Sequence, residues 1–347
     1  MSSPSEIADP TTLYQVRDGV YAPDLLIAAV VNLDLFTWIE RQGPVTEAQI
    51  SAGLEVATRP LDVLLTYGAA LGLIERQPSG VISLTDLARQ QLVADSPLSL
   101  HAYYASLAER PAVGELTDVL RTDRPAAWAS ARTGGSGAGW SQRLDDVEFA
   151  RGITAAMDAR GVFLGPALAA AVSDLPATSI LDVGGSSGIY ACSLLAGRPA
   201  ARGTVVERPP VDVAARLLLA ERGWDSRVDV RSGDIFTDPL PQGHDLHLYS
   251  QVLHDWDEPR VRHLLGASYA ALPPGGWMVD HDAHIDADKR GPLANAEYSV
   301  LLMHSTVGKC WSIGELALFA ADAGFENVSY RRTVAHRGAL VAQKPLT

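Results

Sequence analysis

The chain has 347 residues, enough for two domains that each bury a core. Hydrophobic residues make up 47% and charged residues 20%, an ordinary globular balance that excludes collagen-like, coiled-coil and disordered classes. Lys plus Arg number 28 against 41 Asp plus Glu, and a net charge of -13 repels phosphate backbones and anionic membranes. Neither nucleic acid nor membrane is therefore an expected partner. Cys192 and Cys310 stand far apart in sequence and form neither a disulfide framework nor a Cys-x-x-Cys metal pair, which fits a reducing compartment. Residues 1–10 are polar and acidic, without the basic start and apolar run of a signal peptide, so the expectation is a soluble, cytoplasmic protein.

In chain order, apolar residues at three- and four-residue intervals over residues 21–39 predict an amphipathic helix, stopped by Gly43 and Pro44. Thr46 and Gln49 have the spacing of a capping box, and a second helix is predicted over residues 57–73. Short strands at residues 73–76 and 81–84 flank a Pro-Ser-Gly turn, and Thr85 caps a further helix. The outline is a winged helix. Its candidate recognition helix offers Arg59 and Asp62 among apolar residues, without the cationic cluster that phosphate contacts need. Residues 126–140 are rich in Gly, Ala and Ser and read as a flexible loop. The expected division is a helical winged-helix domain over residues 1–145 and an α/β domain over residues 146–347. In the latter, runs at 180–183, 203–207, 228–231, 246–249 and 276–282 alternate with helical segments, which predicts a mostly parallel, Rossmann-like sheet.

The stretch Leu181-Asp182-Val183-Gly184-Gly185-Ser186-Ser187-Gly188 leaves a strand and enters a helix. Its glycines let backbone turn sharply and approach a ligand, and the helix N-terminus favours an anionic group. Such a turn is common between strand and helix, so its neighbours decide. Glu207 ends the next strand about twenty residues on, where a carboxylate can accept both hydroxyls of a ribose. Gly233, Asp234 and Ile235 follow the third strand, where the acid can take an adenine amino group and Ile235 can cover the ring. The order fits a dinucleotide or S-adenosylmethionine, and the Gly233-Asp234-Ile235-Phe236 element is similar to class I methyltransferases.

With Val252-Leu253-His254-Asp255-Trp256-Asp257-Glu258 added, nearly the whole chain resembles the small-molecule O-methyltransferases of plant caffeate type and of bacterial natural-product pathways. The resemblance implies S-adenosylmethionine as cofactor, a small-molecule acceptor and a homodimer formed through the N-terminal domain. It places cofactor contacts on Asp182, Gly184, Gly185, Glu207, Gly233, Asp234, Ile235 and Ser250, with Met157 near the methyl group, and the general base on His254. A neutral imidazole near pH 7 suits that task.

The family's Gly-Gly-Lys/Arg-Glu-Arg-Thr element is replaced here by Val307-Gly308-Lys309-Cys310-Trp311-Ser312, which puts Cys310 where a Glu orients the imidazole. Gln251, His254 and His304 are residue types that hold a divalent metal such as Zn or Fe, and they make the chain similar to the 2-oxo acid C-methyltransferases. On that reading a metal-stabilised enolate attacks the methyl group, with Asp255 or Asp282 taking the β-carbon proton. Arg132 is the candidate for the substrate carboxylate, while Tyr104, Trp140 and Met303 supply apolar walls, as do Tyr14, Trp256 and Trp311. His281 and His284 read as loop residues. The alternative expectation is O-methylation of a phenol or hydroxy acid with His254 as simple base.

Overall fold

The computed structural model describes residues 7–126 and 144–347. Two compact units emerge: Met1–Ala126 with Ile285–Cys310, and Ala127–His284 with Trp311–Thr347. A single cut between residues 145 and 146 does not express this division, because Ile285–Cys310 returns to the first unit. Among the described residues, no single helix is long and apolar enough to cross a membrane.

In the first unit the apolar stripe of residues 21–39 is not one helix. Ala22–Ile27 widens into a π turn, Ala28–Asn32, and the helix restarts at Leu35–Gln42. Asp34 between them is left-handed, with φ 49°, a conformation that cannot continue a right-handed helix. The Thr46 capping box forms as expected and starts Glu47–Leu54, followed by Thr58–Ala70. Strands β1 (Val45–Thr46), β2 (Ile74–Arg76) and β3 (Val81–Leu84) pair antiparallel in the order β1-β3-β2, and Thr85 caps Asp86–Gln91. The helix pair and its wing are the winged-helix outline.

The returning helix, Leu293–Ser305, packs on Thr58–Ala70. Asp62 holds this arrangement from within: its carboxylate lies 3.1 Å from Arg76, 2.9 Å from Lys289 and 2.5 Å from Lys309. Burial opposes its ionisation, but the three cations overcome that and hold its pKa well below the usual carboxylate range. Arg59 binds Asp123 at 2.7 Å and the Gly308 carbonyl at 2.6 Å. Both charges that this helix could present to a duplex are thus engaged inside the unit.

The second unit is built on a seven-stranded sheet. Its strands are β4 (Ser179–Val183), β5 (Arg202–Glu207), β6 (Val228–Ser232), β7 (Leu246–Ser250), β8 (Trp277–Asp282), β9 (Glu326–Arg332) and β10 (Gly338–Gln343). They lie in the order β6-β5-β4-β7-β8-β10-β9, the first five parallel and the last two antiparallel. Strand order reverses between β4 and β7, which opens a crevice at their carboxyl ends. On one face, Leu181, Val183, Tyr249, Leu264, Trp311 and Phe319 form a continuous apolar core.

The long helix Val147–Ala171 packs on Ile189–Ala196. A Cβ on Gly161 or Gly165 would come within 2.2 Å of Ile189 or Ser193, so these two glycines permit the close approach.

Asp62→Ala is expected to lower stability by about 3–5 kcal/mol, because three cations lose their buried partner. Urea unfolding read by circular dichroism checks this, and an unchanged midpoint would contradict it.

Candidate active site

All expected cofactor residues lie in the second unit, and the strand ends place most of them around one crevice. Beyond β4 the chain turns through Gly184 (φ 66°), Ser186 (φ 50°) and Gly188 (φ 72°) before the helix Ile189–Ala196. A Cβ on Gly185 would stand 2.4 Å from the Asp182 carboxyl carbon, and one on Gly184 would stand 3.3 Å from Val252 and 3.8 Å from Ile235. Glycine is thus required twice, once by the carboxylate behind the turn and once by the apolar slot in front of it. Asp182 is fully buried, and burial lifts its pKa to about 7 against the opposing Ala191 amide.

Glu207, at the end of β5, accepts the Ser186 N–H on one oxygen at 3.2 Å and the Arg208 N–H on the other at 3.0 Å. Burial nevertheless pushes its pKa up to about 7. The carboxylate is held by its own turn with both oxygens fixed. Gly233 donates its N–H to the Glu207 carbonyl at 3.0 Å. Asp234 is exposed; one of its oxygens accepts the Phe236 N–H at 2.8 Å, and half-buried Ile235 lies toward Gly184. Ser250, at the end of β7, is buried with a hydroxyl that has no hydrogen-bond partner. A pinned carboxylate, an orphaned hydroxyl and a glycine cradle fit a nucleoside with a polar tail.

Past Ser250, Gln251 adopts φ 61° and the chain makes a tight turn, Leu253–Asp255. Trp311 Nε1 donates to the Leu253 carbonyl at 3.1 Å, so Trp311 is a strut under the turn, with its ring edge-on to Phe319. This presents His254 to Asp282 at the end of the adjacent β8, where Ser250 stands opposite His281 in the sheet register. His254 Nδ1 is 2.7 Å from Asp282 Oδ1, which also accepts the Ala283 N–H at 2.7 Å. Asp255 Oδ1 lies 3.6 Å from His254 Nε2, beyond hydrogen-bond distance.

Burial works against charge on His254, but Asp282 and Asp255 outweigh it and raise the imidazole pKa. Burial likewise opposes ionisation of Asp282, and His254 overcomes it, holding this carboxyl below the usual range. Asp255 behaves oppositely, raised to about 6 chiefly by burial. The arrangement is an imidazole with a carboxylate partner: Asp282 fixes the ring through Nδ1 and stabilises its protonated form.

Several expectations are corrected here. At the position of the family's Glu, Cys310 is a buried residue whose N–H donates to Ser299 Oγ at 3.1 Å, and the carboxylate that meets the imidazole is Asp282. The metal set Gln251, His254 and His304 loses its support. His304 belongs to the first unit, where Nε2 is 2.9 Å from Glu115 and the ring stacks on Tyr21 at 4.0 Å. Among the described residues no group of three or more His, Cys, Asp or Glu side chains can hold a metal ion. His281 is not a loop residue but lies within β8, with its pKa pushed down to about 3 by burial; His284 does follow the strand in a loop, where it is buried and pairs with Asp280 at 2.8 Å.

Of the expected substrate residues, Tyr104 is half-buried and Met303 fully buried in the first unit, while Arg132 and Trp140 fall outside the described residues. One residue escaped sequence reasoning. Arg160 is buried one helical turn after Met157, with Nη2 2.8 Å from the Met157 Sδ. No motif marks an arginine inside a helix.

Residues 113–326 match the O-methyltransferase domain family. The chain is 31% identical to 3-hydroxy-5-methyl-1-naphthoate 3-O-methyltransferase of Streptomyces sahachiroi, over 94% of this chain and 92% of that one. It is 30% identical to the tetracenomycin polyketide synthesis 8-O-methyl transferase of Streptomyces glaucescens, over 97% of each. Among solved structures, an O-methyltransferase family 2 protein from Planctomyces limnophilus in complex with apigenin is 30% identical. It covers 99% of this chain and 98% of that one, with a TM-score of 0.85.

Glu207→Gln is expected to weaken S-adenosylhomocysteine binding about 100-fold, since two hydrogen bonds to a charged acceptor are reduced. In the wild-type chain affinity should rise between pH 6 and pH 8, because a carboxyl with its pKa near 7 accepts best once ionised. Calorimetric titration reads both, and a pH-independent affinity would contradict this role.

Proposed function

Since the chain belongs to the O-methyltransferase family and is an S-adenosylmethionine-dependent methyltransferase, we propose that it methylates a hydroxyl on an aromatic small molecule of bacterial secondary metabolism. The observation that carries this reading is the 2.7 Å contact of His254 Nδ1 with Asp282, which leaves Nε2 as the basic atom. Two relatives named for naphthoate and polyketide hydroxyls, and a structural neighbour holding a flavone, support an aromatic acceptor. A homodimer formed through the N-terminal domain belongs to the same reading, by resemblance, and a cytoplasmic location accords with the two widely separated cysteines.

The residues that would hold the donor are Glu207 for the ribose hydroxyls, Asp234 and Ile235 for the adenine, and Asp182, Gly184, Gly185, Gly233 and Ser250 around them. When bound, the donor supplies an electrophilic methyl group on a sulfonium. The protein's own part is to accept one proton and to exclude water. As the acceptor oxygen bonds to carbon, its proton passes to His254 Nε2, and Asp282 stabilises the imidazolium through Nδ1. A phenolic O–H, with a pKa near 10, is within the range of such a base. The β-carbon of a 2-oxo acid is far less acidic and needs an electrophilic ion, and relatives named for oxygen methylation support the hydroxyl as acceptor instead.

His254 must be neutral to act, and its pKa is raised, so kcat/KM should fall as pH drops through a limb lying above 6.5. Asp282→Asn removes the anion that raises it and is expected to move that limb toward lower pH. His254→Ala should cost about 10²–10⁴-fold in kcat. Assays with a labelled methyl donor and hydroxynaphthoic acid, with the ether identified by mass spectrometry, test the reading. Methylation at carbon, or full activity in His254→Ala, would overturn it.

A further inference from the structure

We propose that the side-chain amide of Gln251 binds the acceptor and selects arenes that carry a second, uncharged oxygen beside the reacting hydroxyl, as a vicinal diol does. The inference deepens the O-methylation reading and rests on it. Gln251 is the first residue past β7 and is 6% exposed. Both ends of its amide, Nε2 and Oε1, are buried without a hydrogen-bond partner among the described residues, as is the hydroxyl of Ser250 before it. Its backbone is left-handed, φ 61°, a conformation that is costly for a residue with a Cβ and persists where the surroundings impose it. An amide buried with no protein partner at either end is costly too, and calls for a polar partner from outside the chain.

The sheet edge fixes where this residue stands. The Gln251 N–H donates to the His281 carbonyl at 3.0 Å, and the next residue of β8, Asp282, meets His254 Nδ1 at 2.7 Å. Consecutive residues of one strand therefore anchor both ends of the short connection from Gln251 to His254. Within that connection Val252 stands 3.3 Å from a Cβ built on Gly184, against the glycine turn. Gln251 thus belongs to the stretch that joins the cradle proposed for the donor to the base, where an acceptor hydroxyl must lie for its proton to reach His254. A carboxamide offers a donor and an acceptor side by side and carries no charge. Two adjacent oxygens match it: the reacting oxygen accepts from the Gln251 amide nitrogen while the neighbouring O–H donates to Oε1. Charge excludes the anionic alternative. Asp282 and Asp255 lie 2.7 Å and 3.6 Å from the two imidazole nitrogens, in a protein of net charge -13, so a carboxylate is repelled where a neutral hydroxyl is not.

The test uses the full-length chain loaded with S-adenosylhomocysteine and two probes that differ by one hydroxyl, 2,3-dihydroxynaphthalene and 2-naphthol. Fluorescence titration is expected to show the diol binding about 10- to 100-fold tighter, because 2-naphthol leaves part of the buried amide unmet. Gln251→Met, of similar volume and without polar ends, should abolish that preference through loss of diol affinity, with S-adenosylhomocysteine affinity unchanged. Gln251→Glu, which loses the donor and adds a charge, should retain little of it. The two-probe comparison on the wild-type chain needs no variant. Equal affinity for the two probes, or a preference that survives Gln251→Met, would overturn the proposal. So would tighter binding of 3-hydroxy-2-naphthoic acid than of the diol, or a loss in Gln251→Met confined to S-adenosylhomocysteine, which would assign the amide to the donor. Methylation of arene hydroxyls with equal affinity for both probes would remove this inference alone. Failure to methylate any arene hydroxyl would remove the O-methylation reading and this inference with it.

Discussion

A single hydrogen bond, from His254 Nδ1 to Asp282, organises the catalytic chemistry of the second unit. It exists because two neighbouring parallel strands deliver the two residues to the same edge: β7 ends at Ser250 and turns back through Leu253–Asp255, and β8 ends at Asp282. The bond sets the tautomer, fixes the ring plane and chooses which nitrogen meets the substrate. Trp311 supports the turn from beneath through the Leu253 carbonyl, so the base is mounted on the apolar core and not on a free loop.

The same strand ends bring together the residues proposed for the donor and for the base. In an open parallel sheet the crevice lies where strand order reverses, and here that point falls between β4 and β7. The glycine turn after β4 and the orphaned Ser250 hydroxyl after β7 flank it, with Glu207 one strand away. Burial raises the pKa values of Asp182 and Glu207 and lowers that of His281, whereas Asp282, equally buried, stays ionised because it has a cationic partner. Charge is retained at this edge only where a counter-charge meets it.

Much of this was legible in the sequence. The five parallel strands fall within a residue or two of their expected positions, since buried strands read as short apolar runs between turn residues. The Thr46 and Thr85 caps form as their spacing implies. The antiparallel strands β9 and β10 went unread, being one polar, exposed strand and one apolar strand without a tight turn signal between them. The break at Asp34 was hidden because an apolar stripe reports which face is buried, not whether the backbone is continuous. The metal reading finds no support for a related reason: sequence shows that His254 and His304 are histidines but not which carboxylates they meet, here Asp282 and Glu115. The burial of Arg160 was invisible because it depends on what its helix packs against.

The account stands on His254 being an imidazole held by Asp282 with its basic nitrogen turned to the substrate. Titrating the ring nitrogens by NMR in the ¹⁵N-histidine-labelled protein, with Asp282→Asn as the comparison, reads this most directly. The account predicts that His254 titrates above 6.5, carries its proton on Nδ1 when neutral, and shifts to lower pH when Asp282 becomes Asn. A His254 that titrates below 6.5, carries its neutral proton on Nε2, or ignores the loss of Asp282 would contradict it.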